Sequence, residues 1–266
     1  MTRALPRSHF NSSRLTRFLT ENAMLDAAQN REDVGHQLGD WLNFRQAIAL
    51  HGVLKPEQTT AHDTPAHLRR AAVMSAEALR RHVDKVRAQL EQSITQGAPT
   101  GTGMTRIEMP PGTLDEPLEA KTAYEPYRRF YAAHQRQMES SLHTLRSQVR
   151  GQLGKAAGPL QQLATLDAAF ENILSEREAM LLGKVAKLLE KRFAQAVKQH
   201  NKQAAEAHAI AADASDGGLS AAVNPANWLM PFRQTMRTAL LAELDMRLQP
   251  TLGLLEAFQS QTPQEQ

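Results

Sequence analysis

Apolar residues in this chain recur at threes and fours and hardly ever at twos. The clearest run is Tyr131, His134, Met138, Leu142, Leu145, Val149 and Leu153. That spacing lines up side chains on one face of an α-helix. It predicts a helix that begins near Pro126 and is broken by "GKAAGP" at 154–159. Pro159 restarts a helix, and the pattern carries it to about residue 210. Within it Leu163, Leu166, Phe170, Ile173, Leu174, Leu181 and Leu188 form one stripe. Leu182, Val185, Leu189, Phe193 and Ala196 form a second, rotated by roughly 100°. A helix apolar on two sides packs against two partners, so its second half is either central to a bundle or bound to another subunit. Such a helix would be roughly 75 Å long, whereas a compact chain of this length has a radius of gyration of about 18 Å. Either the helix breaks, with Gly183 as the weak point, or the protein is elongated. Elongation is the expectation.

The flanking segments read the same way. Asn11 is the expected cap of a first helix, with Phe10 and Leu15 in the positions of a hydrophobic staple. Residues 33–54 place Val34, Leu38, Trp41 and Leu42 on one helical face, followed by Ile48 and Leu50, and Pro56 ends the element. Thr64 and Pro65 have the chemistry of a helix start, and Leu68, Ala72, Leu79, Val83, Val86, Leu90 and Ile94 continue to about Gln96. Residues 97–121 are rich in Gly, Pro and Thr without a period, as a linker or mobile loop is. Phe232, Met236, Leu240, Leu244 and Leu248 define a last helix, which Pro250 would kink or stop. The predicted fold is all-α: an elongated bundle or hairpin of long amphipathic helices with a smaller N-terminal helical module. The expected divisions are an N-terminal module at 1–56, a long helix at 63–96 and an acidic Gly/Pro-rich linker at 97–125. A long-helix bundle at 126–259 and a disordered tail at 260–266 follow.

Composition supports helices, because the apolar share of 41% leans on Ala and Leu while aromatics make up only 5%. With no cysteine, disulfides, thiolate metal sites and a catalytic Cys are excluded. The arginine-bearing start lacks an apolar signal-peptide core, and no window is long and apolar enough to span a bilayer, so the cytoplasm is the expected compartment. Net charge is +3, unevenly spread: residues 107–125 sum to −4 and residues 126–155 to +5. An acidic stretch thus precedes a basic helix, and one can screen the other.

Candidate chemistry is sparse. The ten histidines form no His-Glu-x-x-His motif, and His134 lies in an apolar stripe, where packing is the simpler role, so no metal site is expected. "GTGMTR" at 101–106 lacks the flanking strand and helix and the Lys-Ser/Thr end of a phosphate loop, so no cofactor is expected. Ser12, Ser13, Ser140, Ser141 and Ser175 have no nucleophile turn around them, and the pair Ser12–Ser13 reads as first-turn capping. No catalytic residue is nominated. The crowded "SERE" at 175–178 separates on the helical wheel, with Glu176 and Glu178 pointing to either side of the stripe. Arg177 falls inside the stripe. It either lays its stem along the apolar surface with its head in water, or pairs with a facing carboxylate such as Glu243 or Asp245.

Two functional classes remain. The favoured one is a non-enzymatic interaction or scaffold protein, forming a homo-oligomer or holding a helical partner. Its expected surface is Arg177, Leu181, Leu182, Val185, Leu189 and Phe193, together with the 131–153 stripe. The alternative is a basic helical nucleic-acid binder using Arg128, Arg129, Arg136, Arg146 and Arg150. Finally, "FNSSRLTRFL", "LGDWLNFRQAIAL", "YRRFYAAHQRQMESSLHTLRSQVRGQL", "LDAAFENILSEREAMLLGKVAKLLEKRF" and "LLAELDMRLQPTLGLLEAF" together resemble the DUF3348 family. The resemblance leaves out 55–64, 97–121 and the tail. It implies a bacterial, cytoplasmic protein and carries no catalytic residues to transfer.

Overall fold

The computed structural model of the chain describes residues 13–22, 24, 39, 41–54, 74–97, 106–112, 119–156, 158–213 and 228–261, with backbone alone for 207–213. Six helices have defined bounds: α1 Arg14–Glu21, α2 Phe44–Leu54, α3 Ala76–Gln96, α4 Ala120–Lys155, α5 Pro159–Asp213 and α6 Met230–Gln261. No strand occurs among the described residues. The all-α expectation holds.

Cross-helix contacts fix the directions. His82 meets Gln148 and Ser93 meets Gln137, so α3 and α4 are antiparallel. Tyr124 bonds the Ala186 carbonyl while Arg146 reaches Asp167, so α4 and α5 are antiparallel. His200 stacks on Trp228 and Glu178 pairs with Arg247, so α5 and α6 are antiparallel. The four long helices therefore run up, down, up, down. α4 and α6 pack against each other, with α3 touching both on one side and α5 touching both on the other. α1 lies on α6, and α2 lies on the outside of α5. The second stripe of α5 meets the α4–α6 pair, and α2 supplies a partner for the helix elsewhere.

Local chemistry sets the helix ends. Ser75 caps α3 by accepting from the Ala78 N–H, an orphan donor of the first turn. The start expected at Thr64–Pro65 lies outside the described residues, but the extended backbone of Ser75 begins this helix anew. α1 has Ser13, not Asn11, at its cap position, and Ser13 makes no side-chain capping bond. Phe10 and Asn11 lie outside the described residues, as do Val34 and Leu38. The turn from α4 to α5 needs Gly158, whose φ of 70° is a left-handed conformation that a side chain would strain.

Two expectations about helix ends are corrected, at Pro126 and at Pro250. α4 starts at Ala120, so Pro126 is inside the helix. The intrahelical bond it forfeits would have ended on the carbonyl of exposed Thr122, which water can serve. Pro250 likewise sits inside a helix that continues to Gln261, on an exposed position. α5 is continuous through Gly183 for 55 residues, which gives it a length of about 80 Å. The segment expected to be linker is also partly packed: Ile107 and Met109 are half-buried against the core, and the Tyr127 hydroxyl donates to the Pro111 carbonyl at 2.8 Å.

Candidate functional site

The 131–153 stripe faces inward. Tyr131, Met138, Leu142, Leu145, Val149 and Leu153 are all buried in the chain's own core. So are Leu182, Val185, Leu189 and Phe193, which the sequence nominates for an intermolecular surface. Phe193 belongs to an aromatic cluster with Tyr124, Tyr127 and Phe232, whose ring centroids lie 5.1–6.3 Å apart. These residues join α5 to α4 and α6. Of the nominated surface, Leu181 is exposed and Arg177 half-exposed.

Arg177 pairs with neither Glu243 nor Asp245. Its guanidinium lies over the ring of Trp41, 5.6 Å from the centroid, where the negative face of the indole attracts a cation. Both carboxylates have other partners. Asp245 receives Arg14 from α1 at 2.6 Å and Arg87 from α3 at 2.7 Å. Glu243 is completely buried between α4 and α6. It accepts from the Tyr131 hydroxyl at 2.8 Å, from Gln135 Nε2 at 3.0 Å and from Arg247 at 2.9 Å. Three donors replace the water that the carboxylate has lost, which is what makes its burial tolerable. The burial of Tyr131 itself, and then the charge of Glu243, raise the Tyr131 hydroxyl pKa well above the ordinary value. Burial is the larger cause.

Arg247 also reaches Glu178 at 3.2 Å and so extends this network toward solvent. It opens into a cleft of about 280 Å³ whose lining includes His143, Arg146, Phe170, Glu171, Glu178 and Arg247. Apart from exposed Glu139, the charged groups there are already matched. Arg146 is bidentate on Asp167 at 2.6 and 2.9 Å. Arg150 bridges Asp167 and Glu171, and His143 Nδ1 lies 3.2 Å from Glu171. The cleft therefore presents a closed set of ion pairs that locks α4 to α5. The "SERE" segment does contribute here, through Ser175 and Glu178, which line the cleft: Glu176 lies exposed while Glu178 joins Arg247.

The basic set Arg128, Arg129, Arg136, Arg146 and Arg150 is divided by the fold. Arg146 and Arg150 have side chains only 14% exposed and belong to the interhelical network. Arg128 and Arg129 are exposed, but both converge on Glu125 at 2.7 and 3.0 Å. Arg128 first and Arg129 second hold that carboxyl down at a pKa of about 2. Glu125 thus carries out the screening expected of the acidic stretch. Arg136 alone of the five is exposed with no ion pair among the described residues. No continuous phosphate-facing stripe results.

His134 is fully buried against Phe130, with ring centroids 4.6 Å apart, and neither ring nitrogen has a hydrogen-bond partner of good geometry. Burial pulls its pKa down to about 4, against a weaker upward pull from Gln137. Among the described residues no group of three or more His, Asp or Glu is arranged to hold a metal ion. No helix among them is long and apolar enough to cross a membrane.

The feature that sequence reasoning missed is on α2. None of its side chains is buried, although the segment is rich in apolar residues. At about 100° per residue, Gln46, Leu50 and Val53 share the half-buried side. Phe44, Ile48 and His51 point outward, with Arg45, Ala47 and Leu54 at the flanks, and all six are exposed. Phe44 is 81% exposed, Ile48 57% and Leu54 59%. On α5, which α2 packs against, Met180 and Leu181 are exposed one turn beyond Arg177. Phe44, Ile48 and Gly52 at steps of four were the available signal, hidden because an apolar stripe ordinarily marks the inward face.

Comparison with known proteins gives one match. The family described as "Protein of unknown function (DUF3348)" matches residues 1–260, including the stretches at 55–64 and 97–121. No curated protein and no solved structure matches the chain.

Proposed function

The chain belongs to the DUF3348 family of proteins of unknown function, and from that footing we propose that it is a non-enzymatic interaction or scaffold protein. Its long helices build a rigid body, and its outward apolar helix engages another polypeptide. The observation that carries this reading is the orientation of α2, which turns Phe44 and Ile48 to solvent although Leu50 and Val53, with Gln46, already fill its half-buried side. A helix docked only to complete a core would have no need of large apolar residues on its outer side as well. Contiguous exposed apolar side chains of this kind mark interaction sites.

The closed ion pairs of the cleft favour a structural over a catalytic role there. Support for a nucleic-acid role is weak, because Arg146 and Arg150 serve α5 and Arg128 and Arg129 share Glu125. The test is chemical cross-linking of the full chain in the cells that make it, followed by identification of the cross-linked peptides. The reading expects intermolecular links concentrated at α2 and residues 177–184. Links confined to nucleic acid, or none at α2, would refute it.

A further inference from the structure

We propose that the outward face of α5 is a docking surface for an anionic lipid bilayer, on which the molecule lies through a row of lysines. The proposal stands apart from α2 and its partner, because it uses one face of one helix. At about 100° per residue, one arc of about 60° on α5 holds Met180, Lys184, Lys187, Lys191, Lys198 and Lys202, and no other residue from 180 to 202. All six are exposed. Leu182, Val185, Leu189 and Phe193 occupy the opposite side of the helix and are buried in the core. The row is about 27 Å long from Lys184 to Lys202.

These charges are also unmatched. Lys184, Lys187, Lys191 and Lys198 form no ion pair among the described residues, and Lys202 has only an exposed contact with Glu206 at 3.6 Å. Counting Arg192, residues 184–202 hold six cations against Glu190 alone, a net +5 where the whole chain carries +3. The arginines of α4 are neutralised by carboxylates, whereas this row presents a single sign to solvent and attracts a surface of the opposite sign. Shape selects among such surfaces. Side chains confined to so narrow an arc of one helix meet a plane together. A nucleic-acid duplex curves away from the row, and a helix seated in its groove needs cations on both flanks, where α5 has exposed Glu190 on one. A carboxylate-bearing polypeptide is gripped best by the planar fork of arginine. The row is all lysine, a compact charge on a flexible stem, which suits headgroups free to move sideways. Met180 adds an unbranched apolar side chain that can dip below those headgroups. The apolar side of α5 stays in the core, so the contact is adsorption on the bilayer and not insertion of the helix.

The experiment is co-sedimentation of the full chain with vesicles of equal parts phosphatidylglycerol and phosphatidylcholine, and with vesicles of phosphatidylcholine alone. At about 0.1 M salt the chain should bind the anionic vesicles only, and at about 1 M, where charges are screened beyond about 3 Å, it should be released. Each lysine near an anionic surface contributes roughly five-fold to affinity, so Lys184→Gln, Lys187→Gln and Lys191→Gln combined should weaken binding roughly 100-fold. As a control, Arg80→Gln, Arg81→Gln and Lys85→Gln combined remove the same charge from exposed positions on α3. That variant should change binding by less than roughly five-fold. All six positions are exposed, so thermal unfolding of both variants should match that of the wild type.

No binding to the anionic vesicles, equal binding to the neutral ones, or full affinity in the α5 variant overturns the proposal, as does an equal loss in the two variants. Tighter retention on duplex DNA or on polyglutamate at the same salt, lost with the same three lysines, overturns it too, and makes the row a surface for that polymer.

Discussion

Replacing His134 with leucine should change how stability depends on pH. The imidazole is fully buried, has no hydrogen-bond partner of good geometry for either nitrogen, and has a pKa of about 4. In the unfolded chain the same group titrates near 6.5. The folded value lies below the unfolded one, so on acidification the unfolded chain takes up the proton first. Stability is therefore complete above about pH 6.5 and falls as the pH drops toward 4. Linkage over that interval gives a loss of about 2 kcal/mol by pH 5 and about 3 kcal/mol once both forms are protonated. His134→Leu removes the titrating group and two unsatisfied polar atoms while keeping most of the volume. The assay is urea denaturation of both proteins at pH 7, 6, 5 and 4.5, read as the difference between them so that carboxylate titration cancels. The wild-type midpoint should fall relative to the variant by about 1 M urea between pH 7 and 5. Parallel curves would show that His134 is protonated or solvated in the fold, and the reasoning would fail.

Other substitutions separate core from surface. Leu189→Ala should cost about 2–5 kcal/mol in denaturant melts, because Leu189 is completely buried at the α5 contact. Leu181→Asp, at a position 44% exposed, should change stability by less than about 1 kcal/mol. Similar losses for the two would contradict the orientation of α5. Glu243→Gln should destabilise the bundle by about 3–5 kcal/mol by leaving Arg247 without its inner partner, and Tyr131→Phe by about 1–3 kcal/mol. If both are silent in thermal melts, the buried network contributes nothing net. Arg146→Ala should lower stability without creating or removing retention on DNA at about 50 mM salt.

The sequence made the long helices legible because a stripe at threes and fours needs no partner to be seen. Leu79 to Ile94, Tyr131 to Leu153 and Leu182 to Phe193 are buried along those lines. Partners are another matter. The double-sided character of α5 signalled two neighbours, but periodicity does not say whether these belong to the same chain, and here Leu182 and Leu189 face α4 and α6. Prolines misled for a related reason: Pro126 and Pro250 cost a helix little where the freed carbonyl can meet water, and burial decides that. Glu243 shows the limit most plainly. It sits amid apolar residues in "LLAELDM", and its partners Tyr131 and Gln135 are more than 100 residues away in sequence. No local pattern links them. α2 ran against the usual inference, since its apolar ridge marks the side turned away from the core.

Asp245 gives the fold an order of assembly. One carboxylate near the end of the chain receives Arg14, 231 residues earlier, and Arg87, 158 residues earlier. During synthesis α1 leaves the ribosome well before α6, yet the surface that buries Leu15, Phe18 and Leu19 is on α6. While α2 to α5 are being made, these three side chains have nowhere native to go. α1 emerges long before the helix it docks on. A chain halted before residue 230 should therefore leave α1 open to protease and to chaperones, while the α4–α5 hairpin, complete by then, is already closed by its arginine–carboxylate pairs.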